Sequence, residues 1–463
     1  MNEVATDPRA TPSTASGRLL VRLLRVLVAV RPEEVAALGW SWLYIFAVLS
    51  AYYIMRPIRE QMGVAGGVNN LQWLFMGTLG AMLLLNMPFA VLVKTLPRTR
   101  FIPITYRFFA ATILLFAVAL HWADPVQTVW VGRIFFIWIS VFNLFVVSIF
   151  WALIVDIFNS EDGKRLFGFI AAGATFGAVV GSGLTASLAN YVPTPFLLVG
   201  SVVLLEVAVF SVRRLSHQSI KLRTRPDAQA AETPIGGNFL AGITHPFKSA
   251  YLFNVSLFLL LFAITSTLLY FQQASIVSRN FYDRGAQTAF FASVDLVVNV
   301  LTLFVQLFLT ARIVRGLGVG PTLALLPALT MVGFGALALA PSLASLVAFQ
   351  VLRRSGDYAV ARPTREVLYT VVAREDRYKA KSFIDTVVYR GGDQVGAWSF
   401  TLLSWLGFGT NGIAIAAVTL SAAWFANALW LGRRQNAMAI PEGAGQMHGA
   451  RQVGDSPGTA MAE

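Results

Sequence analysis

The stretch Ser342–Ala373, SLASLVAFQVLRRSGDYAVARPTREVLYTVVA, decides how this chain folds, because its ends are apolar and its middle is charged. On insertion scales each charge costs about 2.5–3.5 kcal/mol at the centre of a membrane-spanning helix, whereas each Leu, Ile or Val contributes only about 0.3–0.6 kcal/mol. Such a helix does not insert alone, so we expect its neighbours to place it with its charges turned into a protein-lined cavity. The charged residues are Arg353, Arg354, Asp357, Arg362, Arg365 and Glu366.

Part of this stretch, the pattern Tyr-x-x-x-Arg-Pro-x-Arg-Glu, also occurs near the N-terminus. A spacing of i, i+4 and i+8 places the Tyr, the first Arg and the Glu on one helical face, with the second Arg on a neighbouring stripe. Two helices are therefore predicted to present the same cationic face. The two copies are Tyr52, Arg56, Pro57, Arg59 and Glu60, and Tyr358, Arg362, Pro363, Arg365 and Glu366.

Composition indicates an all-α membrane protein, since 56% of the 463 residues are hydrophobic, 13% are charged and the mean hydropathy is +0.65. The sequence has no cysteine, which excludes disulfides, thiolate metal sites and a cysteine nucleophile. The four histidines have no metal-ligand spacing, so no metal site and no cofactor is predicted. They are His121, His217, His245 and His448.

Twelve apolar segments predict twelve transmembrane helices in two six-helix bundles. The predicted organisation is an N-terminal segment with an amphipathic helix (1–37), a bundle (38–212), a linker (213–250), a second bundle (251–432) and a tail (433–463). Segments lie near 38–60, 70–93, 101–120, 127–155, 165–189, 194–212, 251–272, 286–311, 320–340, 342–373, 379–406 and 411–432.

We interpret the net charge of +13 as the excess of basic residues that membrane proteins place in their cytoplasmic loops, rather than as a nucleic-acid-binding surface. Lys and Arg fall on every second predicted loop, on the side shared with both termini, and lysines and arginines usually mark cytoplasmic loops. On the opposite side only Arg279 and Arg284 interrupt loops that are otherwise almost free of cations. Both termini are therefore predicted to be cytoplasmic, in an inner-membrane protein.

The two halves resemble one another at a constant shift of 215 residues, as in Gln72 and Gln287 or Lys164 and Lys379. Parallel halves of this kind are typical of the major facilitator superfamily, which implies a substrate site near the midplane between them. Glycines repeat every fourth residue in segments five and eleven, a spacing that predicts close helix packing. They are Gly173, Gly177 and Gly181, and Gly392 and Gly396.

No glycine run is followed by Lys and Ser or Thr as a phosphate loop requires, so transport is expected to be secondary. Arg107 and Glu206 lie in helices that are peripheral in the resembling fold, where a structural ion pair is expected. Arg353 with Asp357, and Arg362 with Glu366, have the i, i+4 spacing of pairs within one helix. Arg133, Asp295, Asp385, Arg390 and Asp393 complete the charges within the predicted spans.

Arginine forks suit phosphate or carboxylate groups better than neutral solutes, so the arginines of these spans are the predicted substrate contacts. The substrate-binding candidates are Arg56, Arg59, Arg133, Tyr52, Tyr358, Arg362 and Arg365. Candidates for gating or coupling are Glu60, Asp295, Glu366, Asp385 and Asp393. Helix direction and depth predict that Asp295 pairs with Arg56, Arg59 or Arg133 when the outer side is closed.

Four stretches carry a resemblance to a known family: VRPEE (30–34), YYIMRPIRE (52–60), NLQWLFMGT (70–78) and DIFNSEDGKRLFGFIAAGATFGAVVG (156–181). They resemble the ATP:ADP antiporter (nucleotide translocase) family of major facilitator-like transporters. The resemblance implies nucleotide exchange with bound ATP or ADP. It also implies that Arg56, Arg59, Asp156, Lys164 and Arg165 are motif positions.

The function predicted is secondary active transport of an organic anion by alternating access, with a nucleotide or another phosphorylated metabolite as the favoured substrate. One alternative is a proton-coupled exporter in which Asp295, Asp385 or Asp393 carries protons; another is a non-transporting receptor that binds an anion. The cavity helices contain no nucleophilic residue spaced to act with a general base, so an enzyme is not predicted. The expected partners are a small anionic substrate and the lipid bilayer, and a monomer is compatible with the sequence.

Overall fold

The structure, a computed structural model, describes residues 30–31, 34–158, 160–223, 249–372, 380–381 and 383–439. The predicted N-terminal amphipathic helix lies outside the described residues, as do most of the predicted linker and tail. The described chain is helical, with no strand in these ranges.

The first part of the chain consists of long helices joined by short turns. A capping box begins one of them: the Asp124 carboxylate accepts hydrogen bonds from the backbone N–H groups of Val126 and Gln127, and Pro125 occupies the first helical position. The helices are α1 (Val35–Ala65), α2 (Leu71–Thr95), α3 (Arg98–Trp122), α4 (Pro125–Ile157), α5 (Ser160–Leu188) and α6 (Thr194–Arg223), with a 3₁₀ turn at Val68–Asn70.

The second part contains shorter helices and two π-turns. The helices are α7 (Ala250–Asn280), α8 (Arg284–Phe308), α9 (Thr310–Leu317), α10 (Val319–Leu339), α11 (Leu343–Gly356), α12 (Arg362–Val367), α13 (Tyr389–Trp405) and α14 (Thr410–Ala439). One π-turn, Asp357–Ala361, joins α11 to α12, and the other, Ile384–Val388, leads into α13.

Among the described residues, ten helices are long and apolar enough to cross a membrane. The two predicted spans that do not meet this criterion are the tenth and eleventh, which carry the charged residues and the π-turns. Both are nevertheless helical over most of their described length. The sequence prediction of an all-α membrane fold is confirmed.

The described residues form two compact units, each with its own apolar core. The first lies within residues 1–235 and 271–303, and the second within 236–270 and 304–463. The boundary thus passes through α7 and α8, whereas the sequence predicts bundles at 38–212 and 251–432. Contacts explain the difference: Asp295 pairs with Arg56, and the ring of Phe271 lies 5.7 Å from that of Phe75. Helix α6 also continues into the predicted linker as far as Arg223.

In the first unit the repeating glycines of α5 allow its backbone to touch that of α1. A Cβ atom on Gly173 would lie 2.9 Å from the carbonyl oxygen of Trp42, and one on Gly181 would collide with the carbonyl oxygen of Ser50. The Ser50 hydroxyl donates a hydrogen bond to the carbonyl of Gly177 at 3.1 Å. Close packing through small residues, predicted from the spacing, is confirmed here.

The second unit repeats this packing between α13 and α7. A Cβ atom on Gly392 would lie 2.6 Å from that of Ala263, and one on Gly396 would lie 2.8 Å from that of Thr267. Because α5 meets α1 as α13 meets α7, the internal repeat seen in the sequence corresponds to the same helix pairing in both units.

Candidate functional site

Arg56 of α1 and Asp295 of α8 form a buried ion pair in the first unit. Asp295 is only 2% exposed and the Arg56 side chain 17% exposed. The Arg56 guanidinium also lies 5.8 Å from the centre of the Tyr53 ring. Among the three arginines that the sequence offers as partners of Asp295, the structure pairs it with Arg56. Its role as a latch stays a prediction.

Arg59, one turn further along α1, is bound by groups of α1 and α4. Its guanidinium pairs with Glu60, donates to the Ser140 hydroxyl at 3.1 Å and lies 4.9 Å from the centre of the Phe136 ring. Glu60 is 4% exposed and also lies 4.0 Å from Arg56. This cluster therefore contains two positive and two negative side chains: Arg56, Arg59, Glu60 and Asp295.

Arg133 and Tyr52 are the other two substrate-binding candidates in the first unit. Arg133 of α4 donates to the carbonyl of Gly66 at 3.2 Å and lies 4.5 Å from the centre of the Trp130 ring. Its Nε atom is buried without a hydrogen-bond partner in the part of the chain that the structure describes. Tyr52 is 8% exposed and packs edge-on against Tyr53 at a centroid distance of 5.4 Å.

A cavity of about 390 Å³ lies in the same unit, at the ends of α1 and α3 and the starts of α4, α6 and α8. Polar side chains in its wall are Gln61, Thr128, Thr194 and Arg284. None of the arginines predicted to bind substrate lines it, so this cavity and the Arg56–Arg59 cluster are separate features of the unit.

Arg353 of α11 is buried in the second unit without an ion-paired carboxylate. It is 4% exposed and donates to the hydroxyls of Thr330 (3.2 Å), Thr265 (3.1 Å) and Ser266 (2.9 Å). A fourth, longer bond reaches the carbonyl of Phe262 at 3.4 Å. The i, i+4 pair with Asp357 that the sequence suggests is not formed.

Asp357 instead accepts a hydrogen bond from the Nε atom of Arg362 at 3.0 Å. The π-turn between them explains this exchange, because i→i+5 geometry brings residues five apart onto one face, which the α-helical rule does not anticipate. The Arg362 side chain remains 50% exposed, and its guanidinium lies 4.5 Å from the centre of the Tyr358 ring. The predicted pair of Arg362 with Glu366 is likewise not formed.

Glu366 pairs with Lys381 on the segment that leads into the second π-turn. Arg365 is partly buried, and its Nε atom has no hydrogen-bond partner in the described residues. Asp385 is exposed at the beginning of the second π-turn. This end of the second unit therefore places two cations and two acids within the two interrupted spans.

Asp393 of α13 lies deeper, at 8% exposure. It accepts hydrogen bonds from the Thr267 hydroxyl at 3.3 Å and from Arg390 at 3.4 Å. Thr267 belongs to the run Thr265–Ser266–Thr267 of α7, whose neighbouring members hold Arg353. Sequence reasoning missed this hydroxyl run and Ser140. Three consecutive hydroxyl residues within an apolar span are a signal for the run, whereas a single serine gives no such signal for Ser140.

The family motif residues are described in part. Arg165 of α5 forms a bidentate pair with Glu34, at 2.9 and 3.2 Å, and Glu34 is 1% exposed just before α1. Asp156 is exposed near the end of α4. The backbone of Lys164 is helical, and its side chain lies outside the described atoms. No group of three or more His, Asp or Glu side chains in the described ranges is arranged to hold a metal ion.

No family model matches the sequence, and no curated protein matches it. Solved structures are similar in fold. A bacterial homologue of the iron transporter ferroportin has a TM-score of 0.61 at 13% identity, covering 85% of this chain and 98% of that one. A POT family transporter in complex with 5-aminolevulinic acid gives 0.59 at 10% identity, over 86% and 96%. The nucleoside transporter NupG gives 0.51 at 14% identity, over 88% and 99%.

At these identities the likeness establishes the fold alone, and that fold is of the major facilitator type. Together with ten long apolar helices, it identifies the chain as an integral membrane protein.

Proposed function

We propose that this protein is a secondary active transporter, a carrier rather than an enzyme, which moves an organic anion across the membrane by alternating access. Three structures with a similar fold are those of a bacterial homologue of the iron transporter ferroportin, a nucleoside transporter and a POT family transporter. Their cargoes differ, so the likeness supports transport in general, and the class of substrate rests on the charged residues of this chain.

The observation that supports an anionic substrate is the excess of cations in the two interrupted spans. Between residues 353 and 393 the described residues include six cations and four acids. Arg362 is half exposed over the Tyr358 ring, and the buried Nε atom of Arg365 has no partner in the described part of the chain. Forked guanidinium groups bind phosphate and carboxylate oxygens bidentately, so an incoming anion supplies what these groups lack.

Within the anions we favour a nucleotide such as ATP or ADP, or another phosphorylated metabolite. The motif resemblance around Arg56, Arg59 and 156–181 supports nucleotide exchange, and Tyr358 offers an aromatic face beside Arg362. Location in the inner membrane with both termini cytoplasmic belongs to the same proposal and is supported by the distribution of Lys and Arg.

A thermal-shift measurement on the purified protein tests the substrate class. A ligand that binds only the folded state at a hundred times its Kd stabilises the protein by about 2.7 kcal/mol, so its melting temperature rises. We expect ATP, ADP or glucose 6-phosphate to raise the melting temperature, and adenosine, which has no phosphate, to leave it unchanged. Equal stabilisation by adenosine and ADP would contradict an anion site.

Uptake by proteoliposomes separates transport from binding alone. Vesicles loaded with unlabelled ADP are expected to accumulate radiolabelled ADP or ATP, and empty vesicles to accumulate little if transport is an exchange. A protein that is stabilised by nucleotide but shows no uptake over protein-free vesicles is the anion-binding receptor rather than the transporter.

Proton-coupled export is the second candidate, and Asp393 is the observation that favours it. This carboxylate is nearly buried and has one hydroxyl and one arginine as hydrogen-bond partners. Under this candidate a proton gradient alone drives uptake, and Asp393→Asn abolishes that response while substrate binding persists. Nucleotide exchange that is indifferent to the proton gradient excludes it.

A further inference from the structure

Arg107 of α3 and Glu206 of α6 form an ion pair on the surface of the first unit. The Nε and Nη2 atoms of Arg107 donate to the two carboxylate oxygens of Glu206 at 3.3 and 3.2 Å. The sequence predicts this pairing, and the structure confirms it. What the sequence does not predict is the exposure of the two side chains, 51% for Arg107 and 46% for Glu206.

This pair lies within membrane-spanning helices. Glu206 is twelve residues after Thr194, where α6 begins, and seven residues before Arg213, the first cation of the predicted cytoplasmic linker, a distance of about 10 Å at 1.5 Å per residue. The hydrocarbon core of a bilayer is about 30 Å thick, so Glu206 lies inside it, nearer to the predicted cytoplasmic surface. The side chains around the pair are exposed and apolar: Ile104, Phe108, Val203 and Phe210.

A single copy of the chain leaves part of this pair unsatisfied. A guanidinium carries five N–H donors, of which the bidentate contact uses two. The remaining donors and the free carboxylate lone pairs face hydrocarbon, where no water is present to bind them. Charges at this depth therefore require a polar partner from outside the unit.

The charge and the depth of the pair select the partner. An anionic lipid headgroup needs an excess of cations, whereas this pair is neutral, and headgroups lie at the bilayer surface rather than inside the hydrocarbon core. The surface carries both a donor, Arg107, and an acceptor, Glu206. A two-fold axis beside the pair therefore places the donor of each copy opposite the acceptor of the other copy. We propose that the α3–α6 face is a homodimer interface in which Arg107 also binds the partner subunit's Glu206.

Cysteine cross-linking in membranes tests this interface, because the natural chain has no cysteine. Val203, 59% exposed and one turn from Glu206, is replaced by cysteine and treated with a short bis-maleimide. We expect a cross-linked dimer from Val203→Cys. A control Leu339→Cys, which is 90% exposed on α10 of the second unit, is expected to give none.

Charge reversal identifies the contact. In the Val203→Cys background, Arg107→Glu places acids against acids and Glu206→Arg places arginines against arginines, so each is expected to lower the dimer yield at least tenfold. Mixing the two variants, with different tags, restores a mixed dimer because the patches are then complementary. The double variant Arg107→Glu with Glu206→Arg restores the homodimer.

Dimer yields that are equal in all these variants would overturn the proposal. Should a single reversal fail to fold, Arg107→Met with Glu206→Leu removes both charges at similar volume and is expected to give a folded monomer in lipid nanodiscs by mass photometry. A dimer of that variant at the yield of the parent overturns the interface, as does a parent protein that is monomeric and retains a bound anionic lipid.

Discussion

Arg353 illustrates how one residue holds a buried charge without an acidic partner. Its guanidinium donates to three hydroxyls, and each of these hydroxyls also donates to a carbonyl of its own helix: Thr265 to Leu261, Ser266 to Phe262, and Thr330 to Leu326. The hydroxyls keep a hydrogen-bond partner when Arg353 is removed, whereas the buried N–H groups of Arg353 lose acceptors when the hydroxyls are removed. Loss of stability upon mutation should be correspondingly asymmetric.

We therefore expect Thr330→Val to destabilise the protein by about 1–3 kcal/mol, because it leaves the buried Nε–H group of Arg353 without an acceptor. Arg353→Met should be neutral or stabilising, since it removes the buried charge and leaves the hydroxyls bonded to their own helices. Melting followed by intrinsic fluorescence in detergent measures both. A larger loss of stability for Arg353→Met than for Thr330→Val would contradict this interpretation.

Arg362 is the residue on which the proposed anion site depends most. Arg362→Gln removes the fork above the Tyr358 ring, so we expect the stabilisation by ADP to fall at least tenfold in apparent affinity, about 1.4 kcal/mol or more. Melting curves across an ADP titration provide the measurement. Arg315→Gln, an exposed arginine of the short helix α9, is the matched control and should leave ADP stabilisation intact.

Unchanged ADP affinity in a folded Arg362→Gln protein would remove Arg362 from the site.

The charges themselves are evident from the sequence, but their partners are not. Arg353 and Asp357 have the spacing of an α-helical ion pair, and Arg362 takes Asp357 only because a π-turn intervenes. A hydrophobic pattern with a period of 3.6 contains no signal for that extra residue.

At the scale of helices, the glycine spacing of α5 predicts a property that can be measured directly. Gly177→Ala forces a Cβ atom into the carbonyl oxygen of Phe46, so we expect a loss of about 1–3 kcal/mol in stability. Gly168→Ala, on the same helix with no atom within 4 Å of the added Cβ, should be stabilising by about 0.5–1 kcal/mol. Melting temperatures of the two variants are compared with the parent.

Similar melting temperatures for both alanine variants would show that α5 and α1 separate at little cost. The close packing of α5 was predictable because small residues at every fourth position of an apolar helix form a stripe that lets a neighbouring backbone approach. The division of the chain was not, because contacts of residues 271–303 with α1 and α2, such as Arg56 with Asp295, depend on tertiary structure.

For the whole molecule, the prediction concerns opening of the predicted outer side. Asp295→Asn removes the negative charge that pairs with Arg56 across α1 and α8, and we expect faster access of reagents from outside. Ala65, at the C-terminal end of α1, is already exposed, so labelling of a cysteine there does not depend on closure. Gln61 lies one turn earlier, is 3% exposed and lines the 390 Å³ cavity, so Gln61→Cys is the better reporter.

Labelling of Gln61→Cys by a membrane-impermeant maleimide should be several times faster with Asn than with Asp at position 295. Identical rates would exclude Asp295 from the predicted latch.

The fold could be predicted from the sequence, because ten of the twelve apolar segments are unambiguous by length and composition. The two exceptions needed the structure, since their charges and π-turns obscure both criteria.

The π-turn at Asp357–Ala361 also has a consequence for how the gene tolerates change. It accommodates one residue more than an α-helical turn does, so an in-frame loss of a single codon there restores an ordinary helical ladder. A codon-deletion scan across 343–367 should therefore show its best membrane expression within the π-turn. Deletion of one residue between Asp357 and Arg362 also brings these two residues to the i, i+4 spacing of an α-helical ion pair, so their contact should survive together with the helix.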